Sequence, residues 1–84
     1  MVRIRAKELC RSLRSEVKVS QDSSADNNLK LRILDYFIIH DPSDEVFEEA
    51  LKARINDTDP AKEHSKIICG QILEAWQTRT VDRL

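Results

Sequence analysis

"LKLRILDYFIIH", residues 29–40, admits two readings that lead to different folds. Leu29, Leu31 and Ile33 alternate as in a strand, whereas Ile33, Leu34, Phe37 and Ile38 recur at helical spacing. A strand here finds no partner segment elsewhere in the chain, and an unpaired strand leaves its backbone N–H and C=O groups unsatisfied. A helix over about residues 27–40 is therefore expected, and with it an all-α protein. Its apolar residues cover well over half of the helical circumference, and Ile39 stands alone on the remaining side. Such a helix is either central or touches something beyond its own chain.

Upstream, residues 2–19 read as a first helix. At 100° per position Val2, Ala6, Leu9, Cys10, Leu13 and Val17 share one face, and beside it Arg3, Lys7, Arg11, Arg14 and Lys18 fall within about 80° of arc. Between the two helices "SQDSSADNN", residues 20–28, is crowded with side chains that bond their own backbone, which places a loop over residues 20–26. Ser24 or Asp26 is the expected cap of the helix that follows.

Downstream, Asp41-Pro42 and Asp59-Pro60 each set an acceptor before a proline, whose missing N–H costs nothing at the first position of a helix. Asp44, Glu45 and Glu63 follow where negative charge meets the positive end of the helix dipole. These acids mark two further helices, about 42–55 and 60–79. Val46, Phe47, Ala50, Leu51 and Ala53 are expected inward on the third, with Arg54 amid the apolar side. On the fourth the inward set is Ala61, Ile68, Cys69, Ile72, Leu73, Ala75 and Trp76, and Ile67 points the other way. Residues 80–84 are expected to fray. The fold class is thus a small bundle of about four helices, antiparallel or built from paired hairpins, forming one domain over residues 1–84.

Composition agrees. One Gly, two Pro and 5% aromatic residues in 84 favour helices over a β-sandwich, which needs many turn residues. A chain this short buries only roughly 60–65% of its unfolded surface, so its core is modest. The formal net charge of -1 supplies no overall attraction to nucleic acid or anionic lipid, although the first helix is basic and residues 41–63 are rich in acids. Cys10 and Cys69 have neither metal-ligand nor disulfide-framework spacing and fall on apolar helix faces, which points to buried thiols in a reducing cytoplasm. The opening residues lack the apolar core of a signal peptide, and no stretch approaches the roughly 18 apolar residues of a membrane span.

Catalytic chemistry finds little support. His40 ending a helix complements the dipole there, and His64 and Cys69 are nearly 140° apart on a helix, too far round to share an ion. The acids beginning at Asp57 fail as a calcium loop, because Ala61 and Ile68 stand at ligand positions. The single glycine, Gly70, excludes a glycine-rich phosphate cradle. No catalytic residue, cofactor or metal is expected. A helix-turn-helix reader is disfavoured because the would-be recognition helix opens with Asp41, Asp44, Glu45, Glu48 and Glu49.

What remains is recognition. The stripe of Arg3, Lys7, Arg11, Arg14 and Lys18 serves solubility alone, or it meets an acidic protein surface, for which the third helix of another copy is one source. Nucleic-acid phosphates are the competing ligand. A membrane ranks last, since the apolar side carries no Trp or Phe anchor. Leu31, Ile38, Ile39 and the out-of-register Ile67 exceed what four helices hide, which favours a homodimer. The expected protein is a non-enzymatic interaction or regulatory module that uses the five cations of the stripe together with Ile39 and Ile67.

Overall fold

The computed structural model of the chain describes residues 2–20 and 24–81. In chain order the elements are β1 (Val2–Arg3), α1 (Ala6–Ser20), α2 (Ala25–His40), α3 (Asp44–Ile55), a 3-10 turn (Pro60–Lys62), α4 (Glu63–Thr78) and β2 (Thr80–Val81). Four helices form two hairpins, α1 with α2 and α3 with α4, and the pairs join through α4, which meets both α1 and α2. The fold is all-α, as the periodicity of residues 29–40 requires.

The two ends of the chain depart from expectation. Residues 2 and 3 are not helical: Val2 pairs with Val81 and Arg3 with Thr80 in an antiparallel bridge. Thr80 and Val81, expected as part of a tail, are thus paired with the start of the chain, while residues 82–84 lie outside the described residues. The reason is a missing local start signal, since neither Ile4 nor Arg5 has a side chain that accepts from the first helical N–H groups. That acceptor comes from across the fold. Asp44 Oδ1, on the first turn of α3, accepts from the Ala6 N–H at 3.0 Å, so an acid read as belonging to its own helix dipole caps a different helix. We expect Asp44→Ala to cost about 1 kcal/mol, the usual loss for an N-cap side chain, read as a lower urea midpoint with unchanged slope.

The α2–α3 joint also differs. Asp41 is not the N-cap of α3; it closes α2 in the left-handed region, at φ 46°, with its N–H donating to Phe37 O at 2.9 Å. A residue before proline avoids the right-handed helical region, and aspartate tolerates the left-handed one. The cap of α3 is Ser43, whose hydroxyl accepts from Val46 N. Asp59 behaves as expected, accepting from Ala61 N with Pro60 next, but the segment it opens is a 3-10 turn that becomes α-helical at Glu63. Ser24 caps α2 through Asn27 N, so α2 begins at Ala25 and the loop is shorter than residues 20–26.

Leu9, Cys10, Leu34, Phe47, Leu51 and Ile72 are fully enclosed, and Trp76 is 2% exposed. Three rings cross the core edge to face: Phe37 on α2 lies 4.8 Å from Phe47 on α3, which lies 5.2 Å from Trp76 on α4. This offset geometry adds to area burial, and it fastens one hairpin to the other. Trp76 Nε1 donates to Glu48 Oε1 at 3.0 Å, so the indole N–H is satisfied. Beyond the core, Arg79 grips Glu16 with both terminal nitrogens at 2.6 and 3.0 Å, tying the end of α4 to α1. That hydrogen bond, ahead of the attraction between the charges, holds the Glu16 carboxyl below its ordinary range.

Several residues expected inward are outside. Val46, Ala50 and Ala53 on α3 and Ala61 after Pro60 are exposed. The cause is the narrow seam between α3 and α4, which Phe47 and Leu51, one turn apart, suffice to fill. Nor is α2 central, since only Leu34 and Phe37 on it are fully covered.

Candidate interaction surface

The basic stripe forms along α1, but it is already partly engaged. Arg3 leaves it, being in β1 rather than α1. Arg14 Nε lies 2.6 Å from Asp35 Oδ1, joining α1 to α2, and Lys7 Nζ lies 3.6 Å from Asp41 Oδ2 at the end of α2. Both pairs are more than a third exposed, so each is worth little in stability. Their effect is to remove two of the cations from the free face. Arg11 and Lys18 remain exposed with no ion pair among the described residues. At the start of α1 the stripe borders a cleft of about 640 Å³ where Arg5, Lys7 and Arg11 face Asp41, Asp44 and Glu45. The acidic start of a third helix, expected as a complement in another copy, thus meets the basic helix within one chain.

Ile39 and Ile67 are both exposed, at 78% and 55%, as their wheel positions imply. They do not form one patch. Ile67 lies beside Asn27 and Lys30 near the start of α2, and Ile39 is nine residues past Lys30, about 13 Å further along the axis.

A different feature gathers apolar surface. Between α2 and α3, with Ser65 and Cys69 of α4 at its base, runs an open groove of about 400 Å³. Leu29, Ile33 and Tyr36 line its α2 side, and Ala50 lines its α3 side. Tyr36 is 57% exposed and packs against His40, ring centroids 4.1 Å apart. Arg32 and Arg54 stand on opposite sides of the groove, and no acid lines it. The other basic clefts differ: the one at the start of α1 holds acids, and the one around Arg11 and Arg14 includes Asp35. Sequence reasoning noted Arg54 amid apolar neighbours and the excess apolar arc of α2, but had no means of putting the two helices side by side.

Chemical machinery is sparse. Burial pushes the Cys10 thiol up to about 12. Cys69 is also raised, chiefly by burial, against the opposing influence of the Arg54 charge and a hydrogen bond from Ser65. Both cysteines are free thiols. Among the described residues no three of His, Cys, Asp and Glu gather as a metal site, and no helix is long and apolar enough to cross a membrane. His64 lies 3.3 Å from Asp26 on an exposed face, whereas the Cys69 thiol is buried.

The fold and this surface define a small all-α chain of two helical hairpins with an open groove on one side. Comparison with protein-family models, with curated proteins and with solved structures found no match to any of the three.

Proposed function

We propose that this chain is a small non-enzymatic protein–protein interaction module that self-associates and works in a reducing cytoplasm. The observation that carries the reading is the placement of exposed apolar side chains. Of the five large ones among the described residues, Tyr36, Ile39 and Val46 come from the end of α2 and the start of α3, within eleven consecutive residues. Tyr36 lines the open groove with Leu29 and Ile33, and an exposed apolar groove of this kind is costly to leave in water and marks an association surface. Complementary charge would orient a partner there, and apolar burial would supply most of the affinity.

The compartment is supported by the two free, buried thiols, which suit a reducing environment. Binding of nucleic-acid phosphates by α1 loses support, because Lys7 and Arg14 are in ion pairs and the remaining cations are interspersed with acids of the same chain.

Light scattering over a dilution series tests the reading. We expect twice the 9.7 kDa chain mass at high concentration, falling toward one chain on dilution. A single-chain mass at every concentration would sink self-association.

A further inference from the structure

The groove between α2 and α3 and the outward face of α3 carry opposite charges, and they meet at Ala50, which belongs to both. On α3 the exposed residues Val46, Ala50 and Ala53 share one face at helical spacing. Val46, 57% exposed, stands up from that face, while the two alanines leave it low enough for another element to approach closely. Glu45 and Glu49 run along one side of Val46, are exposed, and have no ion pair among the described residues. The groove presents the opposite character. Arg32 and Arg54 likewise have no ion pair among the described residues, and between them lie Tyr36, Ile33 and Leu29.

We propose that the groove is a docking site for a second copy of this chain: in a two-fold dimer the outward face of each α3 lies on the partner's groove, with Val46 against Tyr36 and Glu45 and Glu49 toward Arg32 and Arg54. The proposal rests on the self-association reading and assigns its surface. A two-fold relation makes the contact isologous, so each copy supplies one acidic face and one basic groove and the assembly closes at two chains. Glu49, Arg32 and Arg54, which have no ion pair among the described residues, then gain partners of opposite sign, and Glu45, which also borders the cleft at the start of α1, gains a second set. Ala50 belongs to both the face and the groove wall, so the two halves of the contact are continuous across the dimer axis.

A charge exchange tests this on the full chain. One variant carries Glu45→Arg and Glu49→Arg, the other Arg32→Glu and Arg54→Glu. Alone, each places like charges across the contact and is expected to weaken dimerisation about 100-fold by sedimentation equilibrium. Mixed in equal amounts, the two regain opposite charges in both halves of the contact, and a mixed dimer should form within about tenfold of the wild-type affinity. That recovery also shows both variants to be folded, and circular dichroism of each alone provides a second check.

The outcomes separate cleanly. A wild-type chain that dimerises while either variant dimerises equally well overturns this surface and leaves self-association standing. Two monomeric variants that fail to combine overturn it as well. A wild-type chain that is monomeric throughout removes self-association itself, and the assigned surface with it.

Discussion

Phe47→Ala should leave the chain largely unfolded at 25 °C. Phe47 has no exposed surface and sits between Phe37 and Trp76. Its removal opens a void where the two hairpins meet, at a cost of about 3–5 kcal/mol for a large aromatic side chain cut to alanine. A domain of this length has a total stability of only about 4–13 kcal/mol by the usual per-residue range, and small cores sit near the lower end. The substitution therefore consumes most of what holds the fold. Phe47→Leu retains much of the volume and should cost less than half as much. Guanidinium titration followed by far-ultraviolet circular dichroism checks the pair. A Phe47→Ala chain with a midpoint close to the wild type would mean that the hairpins are fastened elsewhere.

The second large effect concerns thiol reactivity. The thiolate is the reactive form, and burial holds Cys10 at about 12 against an ordinary 9.0. That difference lowers the thiolate population about 1000-fold near neutral pH, before any steric exclusion is counted. Alkylation of native Cys10 at pH 8 should therefore run on the order of 100- to 1000-fold slower than in the denatured chain, and Cys69 should be slowed in the same direction. Mass spectrometry of timed aliquots distinguishes the two positions. Rapid modification of Cys10 under native conditions would contradict its burial. The same shift fixes the sign of an alkaline effect. Between about pH 9 and 12 the folded state keeps a proton that the unfolded state loses, so stability is intact below that window and declines as pH rises through it.

Residues 29–40 illustrate how far local information reaches. Their helical repeat, together with the capping hydroxyl of Ser24 and the Asp59-Pro60 start, placed α2 and the onset of the last helical segment. The exposure of Ile39 and Ile67 followed from the same periodicity, because the direction of a side chain on a helix is set by its position in the turn. Asp41 shows the limit. An acid before proline suits a helix start or a left-handed helix end equally well, and the choice went to Ser43 as cap once α2 ran on to His40.

The sequence by itself determined the four helices, their approximate ends and the outward turn of Ile39 and Ile67, because hydrophobic period, caps and proline act within a few residues. Tertiary structure alone decided that Asp44 caps α1, that Asp35 and Asp41 occupy Arg14 and Lys7, and that residues 2 and 3 pair with residues 80 and 81 instead of extending a helix. It alone also placed Arg32 and Tyr36 of α2 across a groove from Ala50 and Arg54 of α3. Each of these depends on groups far apart in the chain, and the spacing of residues along one helix carries no information about which other helix will lie beside it.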